Sequence, residues 1–443
     1  MDEAVAAARR AFDHGPWPHT PPAHRAAMVR KLAEYMIKRH PEVTAAVTAQ
    51  VGALSKIAPG MTVMGTLSLT RYADWSDEFL WTEKRKTVLQ GMTGYVVQEP
   101  VGVVAAIAPW NAPYLTMTQK IAPALVAGCT VIMKPSPETP LEAYLLAEAA
   151  EAIGMPAGVV NLVPSQRGPA DHLVCNPGVD KVSFTGSTAA GRRIATVCAD
   201  RLARVTLELG GKSAAIIRDD FPTHIAAKTL ARTITVLSGQ VCAMLTRAIV
   251  PAARHDEIAE AIAAEMRTIK VGYSEDETTE MGPVAMKRQR DRIEGYIARG
   301  TADGADLITG GGRPNHLKHG YFVEPTLFGN VDNKSVIAQE EIFGPVLCLI
   351  KSDDEDHAVA LANDTNYGLY GSVFTTDPQA AFRIGRQLRA GALGQNELQS
   401  DFSLPFGGFK QSGIGREGSI EGIQPYVETK AMFLAGDVDM SVM

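Results

Sequence analysis

The stretch TLELGGKS, residues 206 to 213, places a single carboxylate, Glu208, directly before two glycines and Lys212. A carboxylate at the end of an apolar segment suits two kinds of chemistry. It can accept hydrogen bonds from the ribose of a bound dinucleotide, or it can act as a general base that removes a proton during a reaction. This stretch alone leaves both alternatives open.

Cys242 is the cysteine whose surroundings suggest chemistry. The chain has five cysteines: Cys129, Cys175, Cys198, Cys242 and Cys348. They include no CxxC pair and the histidines form no ligand cluster, so we expect neither a disulfide framework nor a metal site. A lone cysteine is most often a small buried hydrophobe. Cys242, however, follows Gly239 and Gln240 and precedes a stretch that we predict to be helical. A thiol at the start of a helix has a lowered pKa and can act as a nucleophile.

Asn111 lies in IAPWNAPY, just past the end of an apolar segment and between Pro109 and Pro113. A rigid turn that presents a side-chain amide suits a donor to a developing oxyanion. The alternative is an asparagine that only caps its turn.

The segment KVSFTGSTAAGRR predicts a nucleotide-binding turn. A strand ends at Thr185, and Gly186, Ser187 and Thr188 lead into a helix. Glycine lets the backbone approach a diphosphate, and the start of the helix offers free N–H groups to it. The GxxxxG spacing differs from the dinucleotide GxGxxG, so an ordinary tight turn remains an alternative. Glu208 follows Gly186 by 22 residues, a spacing that suits a ribose carboxylate.

Composition restricts the class of protein. The 443 residues suffice for two or three domains, and 46% are apolar and 21% charged. The net charge is −6 and the basic residues are scattered, so we expect neither a nucleic-acid nor a membrane partner. The amino end has no secretory pattern, and no run approaches the roughly 18 apolar residues of a membrane span. We therefore expect a cytoplasmic enzyme.

Helices and short apolar strands alternate along most of the chain. Residues 22–50 are predicted to be helical, residues 87–98 to be extended with breaks at Gly91 and Gly94, and a helix is expected near Thr116 to Ala127. The strand-helix alternation predicts a parallel, doubly wound sheet that binds ligands at the carboxyl ends of its strands. A second set of strands after residue 213 predicts a second α/β domain.

The motifs occur together in a recognisable order. PWN, KPSPETP, FTGST, LELGGKS, GQVC, EEIFGPV and PFGGFKQSGIGRE follow one another along the chain. In this order they resemble the NAD(P)-dependent aldehyde dehydrogenase superfamily, and the resemblance extends from about residue 2 to residue 433. It implies that Cys242 is the nucleophile and that Asn111, with the backbone N–H of Cys242, holds the oxyanion. It further implies that Glu208 is the general base that activates water against a thioester.

The same resemblance implies an NAD site. Lys134 and Glu138 would hold the adenosine ribose, Gly186 and Ser187 the diphosphate, and Glu341 with Phe343 the nicotinamide end. The complete implied set is Trp110, Lys134, Ser136, Glu138, Gly186, Ser187, Gly210, Glu341 and Phe343. Because the carboxylate of Glu138 would repel a 2′-phosphate, we expect NAD to be preferred over NADP.

Two alternative functions stay open. Relatives that transfer the acyl group to coenzyme A usually lack the acid at the position of Glu208, so its presence favours water as the acceptor. A catalytically silent NAD-binding protein is the other alternative. Its support is Leu237, which stands where relatives commonly carry Asn, and an amino end shorter than that of relatives, which we expect to lower stability.

The resemblance also implies a three-part fold. We expect an NAD-binding domain at residues 1–81 and 101–209, a catalytic domain at 210–425, and a small β oligomerisation element at 82–100 and 426–443. Because a two-stranded ribbon is marginal alone, we expect a neighbouring subunit to complete it in a homodimer or homotetramer.

The substrate end is predicted to be a roomy and mostly apolar tunnel. Ala112, Thr116 and Gln119 follow Asn111, and a second segment supplies Phe402, Leu404, Phe406, Glu397 and Asp401. We therefore expect medium-sized or aromatic aldehydes, and the acidic residues disfavour strongly anionic semialdehydes.

Overall fold

The computed structural model describes residues 1–439, and their strands form three β-sheets. The end of the predicted oligomerisation element, residues 440–443, lies outside the described residues. The helices are α1 Asp2–Asp13, α2 Pro22–Lys38, α3 His40–Val51, α4 Ala58–Glu78, α5 Pro113–Ala127, α6 Leu141–Ala152, α7 Arg167–Cys175, α8 Thr188–Asp200, α9 Thr223–Thr233, α10 His255–Thr268, α11 Lys287–Ala302, α12 Val336–Gln339, α13 Glu355–Asn363 and α14 Pro378–Gly385. The strands are β1 Thr82–Lys86, β2 Thr93–Pro100, β3 Val103–Ile107, β4 Thr130–Lys134, β5 Val160–Leu162, β6 Lys181–Thr185, β7 Arg204–Glu208, β8 Ser213–Ile217, β9 Leu245–Pro251, β10 Asp306–Thr309, β11 Thr326–Gly329, β12 Val346–Ser352, β13 Tyr370–Phe374, β14 Ala392–Gln395, β15 Gly413–Ile414 and β16 Val427–Leu434.

The first sheet has six strands in the order β15-β7-β6-β3-β4-β5. Strands β3 to β7 run parallel, and β15 adds an antiparallel edge next to β7. Strands β3 and β4 are fully buried, as expected of a parallel sheet covered on both faces. The chain progresses from β3 to β5 in one direction and then returns to β6 on the other side of β3. The carboxyl ends of β3 and β6 therefore form a topological switch point, where ligands bind in such sheets.

The second sheet has seven strands in the order β10-β11-β12-β9-β8-β13-β14. All of its strand pairs are parallel except β10 with β11. Separate apolar clusters cover its two faces. A short link, residues 209–212, joins β7 of the first sheet to β8 of the second. The two sheets therefore meet at the stretch that carries Glu208. The α/β class with two doubly wound sheets is confirmed.

The third sheet is small and antiparallel, with the order β1-β2-β16. β16 pairs with β2 along its full length, from Val427 opposite Pro100 to Leu434 opposite Thr93. Its outer edge has no strand partner among residues 1–439, and most of its side chains are exposed. None of the helices in this part of the chain is long and apolar enough to cross a membrane.

The structure differs from three local predictions. Residues 87–92 form a turn rather than a strand, because the β1–β2 hairpin reverses there and Gly91 takes a left-handed φ of 74°. α5 begins at Pro113, three residues before the predicted start, since proline suits the first turn of a helix. The segment after Cys242 is the central strand β9 and not a helix, because LTRAIVP is rich in β-branched residues and is buried.

Candidate active site

The three predicted catalytic residues come together where the first two sheets meet. Asn111 follows β3, Glu208 ends β7, and Cys242 lies in the loop before β9. The Asn111 Nδ2 donates a hydrogen bond to the carbonyl of Gln240 over 2.9 Å, which joins the β3 turn to the cysteine loop. A side chain on Gly211 would overlap the carbonyl of Cys242. The backbone after Glu208 therefore packs directly on the backbone of the cysteine.

The two glycines of LELGG, Gly210 and Gly211, are explained by this close packing. Neither has a left-handed φ. A Cβ on Gly210 would lie 2.5 Å from Oε2 of Glu341, and one on Gly211 would overlap Cys242. Glycine is required at both positions because other chain segments approach the backbone.

The loop before Cys242 is held in an unusual conformation. Leu237, Ser238 and Gly239 have successive φ values of 48°, 55° and 76°. Left-handed conformations cost non-glycine residues roughly 1–2 kcal/mol each. Hydrogen bonds compensate for this cost, because the Ser238 hydroxyl donates to the carbonyl of Gly282 over 2.7 Å and the Gln240 amide donates to the carbonyl of Leu237 over 2.8 Å. Leu237 also packs against the apolar cluster beside the first sheet.

Cys242 is a protonated thiol in this environment. Burial raises its pKa, and the negative charges of Glu341 and Glu208 raise it further, to about 12. Backbone N–H groups of Ala243 and of Cys242 itself lower the pKa by hydrogen bonding, but by less. The expected helix start, which would have lowered the pKa, is replaced by a strand. The thiol therefore needs a base or the removal of a nearby charge to become a nucleophile.

Glu208 is buried without a hydrogen-bond partner. Its side chain is 3% exposed, and neither carboxyl oxygen has a partner among residues 1–439. Burial raises the pKa of Glu208 well above its ordinary value, and the nearby charge of Glu417 adds to the effect, while Lys120 and Arg416 oppose it. A carboxyl group without structural hydrogen bonds is suited to exchanging protons.

A buried ion pair lies beside Glu208. Lys120 Nζ is 2.6 Å from Oε1 of Glu417 and donates a second hydrogen bond to the Thr185 hydroxyl over 2.7 Å. The two side chains are 0% and 4% exposed. This pair was not predicted from the sequence. A lysine within the apolar helix α5 was the available signal, because a buried lysine requires a partner.

The other end of the site holds the predicted ribose contacts. Lys134 ends β4, and Ser136 and Glu138 follow in the next turn. The Ser136 hydroxyl donates to one carboxylate oxygen of Glu138, and Arg288 approaches the other with Nη1 at 2.6 Å. Burial raises the pKa of Glu138, but the hydrogen bonds from Ser136 and Arg288 outweigh it, so the net pKa is lowered. Glu138 is therefore ionised near neutral pH.

The predicted diphosphate turn lies between these two ends. Ser187 caps the 13-residue helix α8, and its hydroxyl accepts the Ala190 N–H over 3.3 Å. A Cβ on Gly186 would lie 2.5 Å from the ring of Phe184. The helix start has N–H groups and a positive dipole end directed to the switch point, which fits a diphosphate.

The predicted nicotinamide residues lie close to Cys242. Glu341 Oε1 accepts the Gly211 N–H over 3.0 Å, and burial raises the pKa of Glu341 to about 7. The rings of Trp110 and Phe343 meet edge to face with centroids 5.3 Å apart. The predicted cofactor residues therefore lie in two places. Most follow strands of the first sheet along one edge, and Glu341 and Phe343 lie across from that edge. Within residues 1–439 no group of three or more acidic, histidine or cysteine side chains could hold a metal ion.

The predicted substrate residues divide into two groups. Thr116 bonds its own helix, donating to the carbonyl of Ala112 over 2.8 Å, and Gln119 is buried with no partner for Nε2 in the described chain. Phe402 and Phe406 pack with ring centroids 5.5 Å apart. The remaining three residues, Glu397, Asp401 and Leu404, are exposed.

A groove runs between α4 and the loop that carries Phe402. Its lining is mixed, with apolar Met64, Leu67, Trp75 and Phe402 beside charged Arg71 and Asp401. The apolar character predicted for the substrate end is therefore present in part.

Comparison with known proteins identifies the family. The family model described as "Aldehyde dehydrogenase family" matches residues 1–432. The chain belongs to the aldehyde dehydrogenase family. The geranial dehydrogenase of Castellaniella defragrans is 45% identical over 436 residues, which cover 98% of this chain and 91% of that protein. The 3-succinoylsemialdehyde-pyridine dehydrogenase of a Pseudomonas species is 41% identical, with coverage of 98% and 90%.

Solved aldehyde dehydrogenases have the same fold. The aldehyde dehydrogenase of Mycobacterium tuberculosis, complexed with NAD+, superposes with a TM-score of 0.95 at 44% identity, covering 98% of this chain and 89% of that one. The betaine aldehyde dehydrogenase of Staphylococcus aureus, also with NAD+, gives a TM-score of 0.96 at 35% identity, with coverage of 99% and 88%. The family resemblance inferred from the motifs is thus confirmed.

Proposed function

We propose that the chain oxidises an aldehyde to the carboxylic acid with NAD, through a covalent intermediate on Cys242. The observation that carries the proposal is the buried carboxyl group of Glu208, which has no hydrogen-bond partner within residues 1–439 and lies near enough to Cys242 for its charge to raise the pKa of the thiol. Family membership supports the same reaction.

The thiol of Cys242 would attack the aldehyde carbonyl once its proton is removed. The Asn111 amide and the Cys242 N–H are the proposed donors to the resulting oxyanion. Asn111 donates its amide hydrogen to the carbonyl of Gln240 in this structure, and the second amide hydrogen remains available. Gln240 thereby holds the amide beside the cysteine loop.

Glu208 is the proposed base for deacylation. Its raised pKa makes the carboxylate a stronger base than an ordinary glutamate, which suits the removal of a proton from water. The Lys120–Glu417 pair stands next to it with opposite effects. Glu417 favours the protonated form of Glu208, and Lys120 favours the ionised form. We infer that this pair adjusts the proton affinity of the base.

The residues present fit NAD. The start of α8 suits the diphosphate, Glu138 supplies ribose acceptors, and the Trp110 and Phe343 rings border the end near Cys242. When bound, NAD would accept the hydride whose departure converts the thiohemiacetal on Cys242 into a thioester. The solved relatives complexed with NAD+ support this choice.

For the substrate we propose an uncharged aldehyde of medium size. Part of the groove beside α4 is apolar, and the relatives named for geranial and for 3-succinoylsemialdehyde-pyridine support this class. Water is the proposed acyl acceptor, because the carboxyl of Glu208 is present to activate it. A cytoplasmic location stays a prediction from the sequence.

The substitution Cys242→Ala tests the proposed reaction. We expect NADH formation from any aldehyde to be lost, because the covalent step is removed, while NAD binding measured by calorimetry is retained. The assay should cover apolar, aromatic and anionic aldehydes, and the wild-type chain should use benzaldehyde better than succinate semialdehyde. Turnover by the variant above a few per cent of wild type would identify another nucleophile. Equal rates with the two aldehydes would reject the substrate class.

A further inference from the structure

Arg288 holds the predicted ribose carboxylate from across the site. It is the second residue of α11, and its Nη1 lies 2.6 Å from Oε1 of Glu138. The Arg288 side chain is 65% exposed and that of Glu138 is 22% exposed. The guanidinium therefore reaches Glu138 from the solvent side, where a swing to a new partner needs no repacking of the core.

Helix α11, which carries Arg288, is hydrogen-bonded to the Glu341–Phe343 segment at the opposite end of the site. Gln289 donates its amide to the carbonyls of Ile342 and Phe343 over 3.1 and 2.9 Å. Arg292 donates to the carbonyl of Glu341 over 2.6 Å. The first turns of α11 thus connect the Glu341–Phe343 segment to Glu138.

The position of Arg288 does not favour the stability of its helix. The first turn of α11 contains basic residues and no acidic one. Cations near a helix start oppose its dipole and destabilise the helix. A mostly exposed ion pair recovers little of that cost. A role in binding explains the arginine better than a role in folding.

The charges around Glu138 change how this place would interact with a 2′-phosphate. A lone carboxylate repels a phosphate, but Lys134 and Arg288 flank this one and give the three side chains together a charge of +1. Guanidinium groups bind phosphate through two parallel hydrogen bonds. Glu138 keeps free lone pairs for ribose hydroxyls while Arg288 and Ser136 occupy others.

We propose that Arg288 binds the 2′-phosphate of NADP. It is then a second residue that discriminates between the cofactors, and its positive charge favours NADP whereas the negative charge of Glu138 disfavours it. The chain then uses NADP measurably beside its preferred NAD. This inference rests on the proposed function, because it takes Glu138 as the ribose carboxylate.

The test measures cofactor binding in the absence of aldehyde. Dissociation constants of NAD, NADP, 5′-AMP and 2′,5′-ADP are determined by calorimetry for the wild-type chain and for Arg288→Gln. We expect the Kd of NADP and of 2′,5′-ADP to rise at least about fivefold in the variant, while those of NAD and 5′-AMP change less than about twofold. Added salt should weaken NADP binding more than NAD binding in the wild-type chain only.

Two further variants sharpen the test. Lys287→Gln is the matched control, because it removes a neighbouring cation from the same helix turn, paired with Asp291 rather than with Glu138. Its NADP affinity should equal that of the wild-type chain. Glu138→Ser should tighten NADP binding, and by a larger factor in the presence of Arg288 than in combination with Arg288→Gln.

Two outcomes would overturn the inference. Equal weakening of NAD and NADP by Arg288→Gln would mean that Arg288 only orders Glu138. Dissociation constants of NAD and NADP that both stay at their wild-type values would mean that Arg288 does not reach the phosphate. Either result leaves the reaction on Cys242 intact, whereas failure of the proposed function would appear as turnover by Cys242→Ala. The two failures are therefore distinguishable.

Discussion

Glu208 and Cys242 occupy one buried region that shifts the pKa of each group towards its uncharged form. Burial raises the pKa of both groups, and the charges of Glu341 and Glu208 raise that of the thiol further. The neutral thiol is protected from indiscriminate reaction, but it must lose its proton before it can attack. A proton must therefore be taken at two stages, first from the thiol before it attacks and later from the water that hydrolyses the thioester.

The substitution Glu208→Gln should separate the two stages. It keeps the shape of the side chain and removes the base. We expect up to one NADH per active site, followed by a stall at the thioester, because water is no longer activated. A rapid-mixing burst and a mass increase on Cys242 equal to the acyl group would show this stall.

The pH dependence of the NADH burst tests whether Glu208 also deprotonates Cys242. The raised pKa of Cys242, about 12, means that its thiolate fraction increases as pH rises through the neutral and alkaline range. If Glu208 also deprotonates the thiol, the variant's burst is slow near neutral pH and faster at higher pH. A raised KM for NAD with normal kcat would instead place Glu208 at the ribose and refute its role as the base.

At the scale of elements, the loop that carries Cys242, residues 237–242, packs against the chain directly after the Glu341–Phe343 segment. Gly239 has a left-handed φ of 76°, and a Cβ there would overlap the backbone of Gly344. Gln240 then links the loop forward to Ala285, whose N–H it accepts over 3.0 Å. The position of Cys242 is therefore set by contacts between loops rather than by its own secondary structure.

The substitution Gly239→Ala should disturb both segments at once. The left-handed φ costs alanine roughly 1 kcal/mol or more, and the overlap with Gly344 adds about 1–3 kcal/mol. We expect a lower melting temperature and at least about a tenfold loss of kcat, because a small displacement of reacting groups is costly. Calorimetric melting and steady-state assays measure the two effects.

Gly60→Ala is the matched control for Gly239→Ala. Gly60 lies in α4, and a Cβ there meets nothing within 4 Å. Alanine favours a helix over glycine by up to about 1 kcal/mol, so this variant should melt at the same or a higher temperature with kcat unchanged. If Gly239→Ala behaved like Gly60→Ala, the proposed support of the cysteine loop would be wrong.

At the scale of the molecule, the third sheet presents an edge suited to assembly. β16 lies at the edge of a three-stranded sheet and carries Met432 and Phe433, the latter 55% exposed. Apolar edge strands tend to pair with another chain. We infer that this edge contacts a second copy, in agreement with the homodimer or homotetramer proposed from the family resemblance.

Phe433→Glu should weaken that assembly. A charge at this edge would have to be desolvated against a partner chain, at a cost that assembly cannot recover without a partner cation. We expect light scattering to show a smaller species than the wild-type chain forms. Phe382→Glu on α14 is the control, because Phe382 is 68% exposed and lies away from this sheet. Equal masses for the two variants would place the interface elsewhere.

The sequence by itself determined the chemistry-bearing residues and the class of fold. The family motifs indicated Cys242, Glu208 and Asn111, and the alternation of strands and helices predicted the parallel sheets. These features are local, because a strand, a turn or a helix start is encoded within a few residues of itself. The roles of the site residues stay predictions until the variants are measured.

Only the tertiary structure decided which residues face one another. Lys120 and Glu417 are separated by 297 positions, and Glu138 meets Arg288 from a different part of the chain. Cys242 precedes a strand instead of a helix, since the buried second sheet overrides the local helical tendency. Such pairings depend on how the two large sheets pack against each other. A local pattern of residue types does not specify the partner on another element, so these contacts follow from the packed fold alone.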